Sequence, residues 1–194
     1  MSTAQPESQS PSQRQAQADK TKEAILKAAR RVFVAQGYAQ AGVRDIAADA
    51  DANPALIARY FGSKLELFEA ALAASLDAEV FTRLNKKEFG ATMADMFCAP
   101  HNQEAANPLQ MILYASGDPA AREVALKQLQ ARIITPLEAW FGTKHAHERV
   151  AQFLAIATGF LTYRLMLPLK PMQDDVSKSM RAWLARAFQE VVDR

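Results

Sequence analysis

Apolar side chains recur along most of this chain at the three- and four-residue spacing that is typical of amphipathic helices. The first stripe consists of Ile25, Ala29, Val32 and Phe33. The helix that it predicts ends at Gly37, because glycine readily adopts the left-handed conformation that closes a helix. Shorter stripes predict a helix over Val43–Ala50 and another over Pro54–Phe61, joined by a tight turn at Asp51 and Ala52. The pattern therefore predicts three helices in the N-terminal third.

Short polar motifs predict where further helices begin. Asn53 is an N-cap residue placed before Pro54, which lacks the N–H group that a first helical turn leaves unpaired. The same combination recurs at residues 107–108 and 118–119, and Ser63 with Glu66 forms a capping box. Pro136 predicts a kink or break in the helix that starts at residue 119.

The remaining stripes complete a helical chain. One runs from Leu65 to Leu84 and predicts a single long helix, and a further helix is expected over Glu88–Cys98. Long helices over His147–Leu167 and Val176–Val192 close the chain. We find no convincing strand and no internal repeat, so the predicted fold is all-α with about nine helices.

Composition adds a domain division and a cellular setting. Residues 1–19 are rich in Ser, Gln, Ala and Pro and are predicted to be a disordered arm, followed by units at 20–64 and 65–194. Net charge is +3 within residues 1–64 against +2 for the whole chain, which is weak evidence for a nucleic-acid partner. The single cysteine, Cys98, excludes an internal disulfide, and no apolar run has membrane-spanning length. These features predict a cytoplasmic protein without membrane contact.

The second and third helices have the lengths and the short turn of a helix-turn-helix. Their inward residues leave one face of the third helix open, and its small side chains permit close approach to a partner. Arg59 on that face can pair with guanine, Tyr60 can bond a phosphate, and Lys64 lies at a helix N-terminus that favours anions. The candidate DNA contacts are Arg44, Asn53, Pro54, Ala55, Ala58, Arg59, Tyr60 and Lys64. The alternative is an ordinary three-helix bundle that never binds DNA.

The stretch from Thr21 to Leu72 resembles the DNA-binding domain of the tetracycline-repressor (TetR) family. The resemblance is carried by Ala28, Phe33, Gly37-Tyr38, Val43-Arg44-Asp45-Ile46-Ala47, Ala50, Ile57, Tyr60-Phe61 and Ser63-Lys64. It implies a variable all-α C-terminal domain that binds a small effector and dimerises through its last two helices. The expected function is a ligand-responsive regulator, specifically a repressor that binds a near-palindromic double-stranded operator as a homodimer.

Three positions depart from the family pattern. Gly42 stands where an N-capping Ser or Thr is usual, so the side-chain cap is lost. Asp51 replaces the usual turn glycine and must adopt the left-handed conformation at some cost. Ala58 occupies a position that is often Tyr. These changes bear on binding strength and operator sequence.

Candidate sites in the second unit follow from Met and aromatic side chains on its helices. A mostly apolar effector pocket is predicted near Met93, Met96, Phe97, Met111, Tyr114, Phe160, Tyr163 and Arg164. Arg164 could anchor an anionic ligand, or could instead pair across a dimer. The last two helices carry more apolar surface than one packing face uses, which predicts a dimer interface of Phe153, Leu161, Met180, Trp183 and Phe188.

Other functional classes have less support. His101, His145, His147 and Cys98 match no strong zinc signature, so neither a metal nor another cofactor is expected. No catalytic motif is legible, and an enzyme is not expected. The alternatives are a helical enzyme or small-molecule carrier that keeps the N-terminal helices as scaffold, and a protein-interaction adaptor.

Overall fold

The computed structural model describes residues 11–100, 107–142, 145–173 and 175–193, and all regular secondary structure within these ranges is helical. The predicted all-α fold class is therefore confirmed. In the part of the chain that is described, no helix combines the length and hydropathy needed to cross a bilayer.

The first helix, α1 (Pro11–Gln40), begins well before the apolar pattern does. In its early turns Gln15 donates to Asp19 over 3.0 Å and the Thr21 hydroxyl donates to the Gln17 carbonyl over 2.9 Å. Ala and Gln are good helix formers, and a helix that is already anchored extends at low cost. The structure thus corrects the predicted disorder of residues 11–19, while residues 1–10 of the predicted arm lie outside the described residues.

The N-terminal helices end and turn at the predicted residues. Gly37 interrupts α1 with φ 73° and ψ 163°, so the helix is kinked there. The helices α2 (Val43–Asp49) and α3 (Pro54–Phe61) follow, and Asp51 between them has φ 48°. The left-handed conformation expected of Asp51 is confirmed.

One predicted helix is divided into two. The chain forms α4 (Lys64–Ala73) and a separate short helix, α5 (Glu79–Thr82). The Ser75 hydroxyl donates to the Ala71 carbonyl over 2.8 Å, and an Asp77 oxygen accepts from the Glu79 backbone N–H over 2.8 Å. These local bonds compete with the helical ladder and end it, so the single helix predicted from Leu65 to Leu84 is wrong.

The second unit continues with helices of moderate length. They are α6 (Phe89–Cys98), α7 (Pro108–Ala115), α8 (Pro119–Leu129), α9 (Thr135–Phe141), α10 (Ala146–Leu161) and α11 (Lys178–Asp193). A π-helical segment, Gln130–Ile134, separates α8 from α9, and a second one, Thr162–Met166, follows α10. Because Pro136 cannot donate to the preceding turn, the hydrogen-bond ladder shifts to π spacing just before it; the helix is interrupted there as expected, but its backbone stays helical and does not break.

A group of phenylalanine rings forms the core of the second unit. Phe153 lies 5.3 Å from Phe81, 6.1 Å from Phe89 and 5.5 Å from Phe188, measured between ring centroids. Phe188 in turn lies 5.2 Å from Phe97. Phe153 and Phe188 are almost fully buried within one chain, so the structure corrects their assignment to a dimer interface.

Helix α6 packs closely on α11 at Gly90. The Gly90 backbone N–H donates to the side chain of Gln189 over 2.9 Å. A Cβ atom at Gly90 would collide with the Ala185 carbonyl oxygen and would lie 2.7 Å from the Cβ of Gln189. The lack of a side chain at this position therefore sets how closely the two helices approach.

We expect Gly90→Ala to lower the free energy of unfolding by about 1–3 kcal/mol, because the added methyl group overpacks the contact between α6 and α11. The better helix propensity of alanine, about 1 kcal/mol, opposes this loss without cancelling it. Urea denaturation measures the change. Gly117→Ala is the matched control, since nothing lies within 4 Å of a Cβ there. Equal stability of the two variants would contradict the prediction.

Candidate nucleic-acid interface and effector cavity

The helices α2 and α3 are held on a platform formed by α1 and α4. Ile46 and Ala47 of α2 and Ile57 of α3 are buried in the same core as Phe33 and Phe68. Ile46, Ala47 and Ile57 lie on the inward faces that the sequence pattern predicted, and Phe33 and Phe68 belong to the platform helices. The opposite face of α3 is therefore free to meet a partner.

Both ends of α3 are fixed by local hydrogen bonds. The Asn53 side chain accepts from the Ala55 N–H over 2.9 Å, and Gly62 closes the helix with φ 81°. In the capping box of α4, Glu66 accepts from the Ser63 N–H over 2.7 Å, and the Ser63 hydroxyl accepts from the Glu66 N–H over 3.2 Å. The Ser63 bonds hold the pKa of Glu66 below its usual range. A short helix without a core of its own thus has defined limits.

The outward face of α3 matches the predicted set. Pro54, Ala55, Ala58 and Arg59 are all exposed, and Asn53 is exposed at the start. Arg44 on α2 is also exposed, whereas Tyr60 is half-buried. Within the described part of the chain, neither Arg44 nor Arg59 is engaged in an ion pair. Both guanidinium groups are available to an anionic partner.

Lys64 has partners within the protein. Its ammonium group donates to the carbonyl oxygens of Tyr38 over 2.9 Å and Ala41 over 3.1 Å, and it lies 4.5 Å from the centre of the Tyr38 ring. The residue thus ties the start of α4 to the end of α1. Its predicted phosphate contact stays a prediction, and it would have to share the ammonium with these carbonyls.

A cavity of about 380 Å³ lies in the second unit. It is bounded mainly by apolar side chains, among them Phe81, Phe97, Ile112, Leu129, Phe153 and Leu161. Of the residues that the sequence assigned to a pocket, Met96, Phe97 and Arg164 line it. Helix periodicity could have identified Ile112 and Leu129, but it gave no reason to separate cavity walls from ordinary core.

The other predicted pocket residues lie elsewhere. Met93, Met111 and Phe160 are at most 3% exposed, whereas Tyr114 and Tyr163 are more than 40% exposed. None of the five lines the cavity. Helical spacing shows which residues share a face, but it does not show which face lines a cavity. The structure therefore corrects the assignment of these five residues to the pocket.

The guanidinium of Arg164 is buried, and both of its terminal nitrogens are engaged. One terminal nitrogen donates to the carbonyls of Met172 over 3.0 Å and Gln173 over 2.9 Å. The other donates to Ala99 over 2.9 Å and, more weakly, to Cys98 over 3.4 Å. Arg164 therefore joins the end of α6 to the segment before α11, which is a structural role that the sequence did not indicate.

Both π-helical segments contribute to the cavity wall. Ile133 comes from the first segment, and Arg164 with Leu165 comes from the second. A π-helical turn holds one more residue than an α-helical turn and is often found at functional sites. The two irregular segments thus shape the opening between otherwise regular helices.

Helices α7 and α8 link the cavity to the N-terminal platform. Ile112 of α7 faces the cavity, while Tyr114 on the same helix lies against the end of α1, with its Cβ 3.3 Å from the position of a Cβ at Gly37. On α8, Gln128 donates to Glu69 of α4 over 2.8 Å, and Lys127 donates to the same oxygen over 3.0 Å. The Lys127 bond contributes most to holding the pKa of Glu69 below its usual range.

The outer faces of α10 and α11 form an open surface. A shallow groove of about 350 Å³ runs between them, lined by Gln152, Ala155, Ile156, Ala187, Glu190 and Val191. Trp183 is 45% exposed next to this region of α11, and Met180 is half-buried. Of the predicted interface residues, Trp183 and Met180 remain near this surface, whereas Leu161 lines the cavity.

Two family models match the chain. Residues 25–71 match the one described as "Bacterial regulatory proteins, tetR family", and residues 87–192 match the one described as "Tetracyclin repressor-like, C-terminal domain". No curated protein matches the chain.

Several solved structures share the fold. Salmonella enterica GusR has a TM-score of 0.69 at 18% identity, covering 90% of this chain and 96% of GusR. The multidrug binding protein EbrR, complexed with ethidium, has a TM-score of 0.60 at 20% identity, covering 86% and 97%. A protein from Saccharomonospora viridis, described as a transcriptional regulator and in complex with choline, has a TM-score of 0.61 at 16% identity, covering 87% and 95%.

We expect Lys64→Met to lower the free energy of unfolding by about 1–3 kcal/mol, because the variant keeps the aliphatic stem but loses the charged bonds to the Tyr38 and Ala41 carbonyls. Thermal or urea denaturation measures the loss. Lys27→Met, at an exposed position of α1, is the control and should change stability by about 0.5 kcal/mol or less. If the free energy of unfolding falls no more in Lys64→Met than in Lys27→Met, the contacts of Lys64 with α1 do not contribute to stability.

Proposed function

Because the chain belongs to the TetR family of bacterial regulatory proteins, we propose that it is a repressor that binds a near-palindromic operator as a homodimer and is released by a small effector. In this proposal residues 20–64 bind DNA in the cytoplasm, and residues 65–194 bind the effector and dimerise. The observation that carries the proposal is the exposed outer face of α3, with an available guanidinium at Arg59 and both helix ends fixed.

The DNA contacts divide into base readout and positioning. Arg59 is the candidate for a bidentate contact with a guanine edge in the major groove. Arg44 and the Tyr60 hydroxyl are candidates for phosphate contacts, which orient the protein without reading sequence. The small side chains of Ala55 and Ala58 let the backbone of α3 come close to the bases. Lys64 supports this surface by holding α1 and α4 together.

A second copy of the chain would supply the other half of the operator contact. The open surface of α10 and α11 supports this part of the proposal, because Trp183 is a large apolar side chain left 45% exposed. Ala155, Gly159 and Ala187 lie on the same faces and leave room for close helix approach. Two such faces related by a two-fold axis form a four-helix bundle. The recognition helices then enter successive major grooves.

The cavity is the proposed effector site. Its apolar walls suit a small hydrophobic or aromatic molecule, and the fold relatives solved with ethidium and choline make small organic compounds the first class to test. An occupant would press on α7 and α8, which contact α1 and α4 on their other sides. If the occupied conformation spaces the two α3 helices wrongly, DNA affinity falls by linkage.

Selection of bound sequences from a random DNA pool tests the function and gives the operator together. Enrichment of a near-palindromic sequence supports the proposal. A helical carrier or enzyme would enrich nothing, and an adaptor would bind a protein partner with little dependence on salt, whereas phosphate contacts make DNA binding strongly salt-dependent.

We expect Arg59→Ala to weaken binding to the selected operator by about 1–3 kcal/mol and to relax the base preference at one position in each half-site. The physical reason is the loss of a bidentate contact that only the cognate base completes. Fluorescence anisotropy with the operator and with single-base variants measures both effects. Arg122→Ala, which removes an exposed arginine of α8, is the control and should bind as the unmodified chain does. Loss of affinity without any change in base preference would assign Arg59 to a phosphate instead.

We expect Trp183→Glu to convert the dimer to a monomer at micromolar concentration, because the substitution buries a charge at the centre of the proposed interface. Light scattering measures the mass, and circular dichroism confirms that the helices remain. Leu126→Glu, at a 59% exposed position of α8, is the control and should stay dimeric. A dimeric Trp183→Glu variant would place the interface elsewhere.

A further inference from the structure

We infer that the cavity selects an apolar ligand that carries a positive charge, and that Asp77 at its edge provides the selectivity. The inference rests on the proposed function of the cavity as an effector site, and it names the chemical class of the effector. It follows from the charged groups that line the opening and from what each of them already binds.

Two charged side chains line the cavity within the described part of the chain, Asp77 and Arg164. Their availability differs. Arg164 is 7% exposed, and its two terminal nitrogens donate to four carbonyl oxygens. Two of these carbonyls, of Cys98 and Ala99, lie at the C-terminal end of α6, where the helix dipole is negative and offsets the guanidinium charge. An anion that approached the terminal nitrogens of Arg164 would have to displace bonds that join three segments of the fold.

Asp77 is available to a ligand. One of its carboxylate oxygens accepts from the Glu79 backbone N–H over 2.8 Å, which fixes the side chain at the start of α5. Among the described residues, no Lys, Arg or His nitrogen forms an ion pair with it. The side chain is exposed, so a ligand can reach it without displacing a protein cation.

The neutral polar groups of the lining do not reverse this preference. The Ser75 hydroxyl already donates to Ala71, so its remaining capacity is that of an acceptor. The Asn107 side chain accepts from the Leu109 N–H over 2.9 Å, which leaves its amide hydrogens for a ligand. Together with the Thr158 hydroxyl, these groups suit either a donor or an acceptor on the ligand and carry no net charge.

The aromatic walls favour the same sign of charge. Phe81, Phe97 and Phe153 all line the cavity. The face of a phenyl ring is the negative part of its quadrupole, so a cation gains attraction where an anion is repelled. Apolar burial then supplies affinity, while Asp77 and the rings determine which charge is accepted.

Ions of matched shape and opposite charge test the inference. Tetraphenylphosphonium and tetraphenylborate have nearly the same size and phenyl surface, and benzyltrimethylammonium and phenylmethanesulfonate form a smaller pair. Calorimetry with the full chain should show at least one cation binding about tenfold more tightly than its paired anion, given the size of cation–π and partly exposed ionic interactions. Equal affinity within each pair, tighter binding of the anion, or no binding by either pair would overturn the inference.

Asp77→Asn is the decisive variant. The amide oxygen of asparagine can accept the same Glu79 N–H bond, so the local structure is kept while the charge is removed. The cation should then bind about threefold more weakly, and the difference within the pair should shrink by at least that factor. If the ratio of cation affinity to anion affinity is unchanged in this variant, Asp77 does not determine the charge selectivity. Glu88→Gln, which removes an exposed carboxylate outside the lining, is the matched control.

Two further measurements separate this inference from the proposed function. Ile112→Trp fills the cavity and should abolish binding of the cation. Circular dichroism shows whether this variant folds. If it does not fold, Ala157→Leu fills the cavity from another lining position and should have the same effect. Operator binding is measured on the same samples. Cation selectivity without operator binding would support the inferred ligand class and contradict the proposed DNA-binding function. Operator binding without cation selectivity would support the proposed function and contradict the inferred ligand class.

Discussion

An eight-residue helix is not stable by itself in water, because nucleation is costly and few hydrogen bonds repay it. The recognition helix α3 therefore depends on its neighbours for its existence as well as its direction. Ile57 is its fully buried contact with the core, the caps at Asn53 and Gly62 limit its ends, and α1 and α4 form the platform beneath it. Lys64 fixes the two platform helices to each other. The orientation of the DNA-facing surface is thus a property of the platform.

This dependence explains how the second unit can influence the first. Helices α7 and α8 contact the platform through Tyr114 and Gln128, and the same helices contribute Ile112 and Leu129 to the cavity wall. A side chain that must move to admit a ligand therefore lies only one or two residues along its helix from a contact with α1 or α4. Because close-packed helices move as units, a shift at the cavity reaches α3 through the platform without any flexible linker.

Local signals in the sequence predicted most of the N-terminal unit, since caps, prolines and turn residues act over three or four positions. The capping box at Ser63 and the left-handed Asp51 are examples. The sequence was less successful at predicting whether a given helix face packs in the core, lines the cavity or lies at an interface. Phe153 and Phe188 lie on apolar stripes that suit either a core or an interface, and only the packing of α10 and α11 against each other and against α6 decides between them. Arg164 resembled a ligand anchor because its carbonyl partners come from distant segments that the sequence does not place near it.

The two π-helical segments have a consequence for how such a chain can change over generations. Each holds one residue more than the regular helix requires, and each lines the cavity. Loss of a single codon within 130–134 or 162–166 would restore the regular ladder, and the residues on either side would keep nearly the same faces, because the wider turn had already absorbed the extra residue. The change in the cavity wall would then be confined to the segment itself, which contributes Ile133 in one case and Arg164 with Leu165 in the other, while the core positions on both sides kept their places. Single-codon deletions at these two segments are therefore a genetic route to a locally reshaped cavity wall that leaves the residues of α2 and α3 untouched.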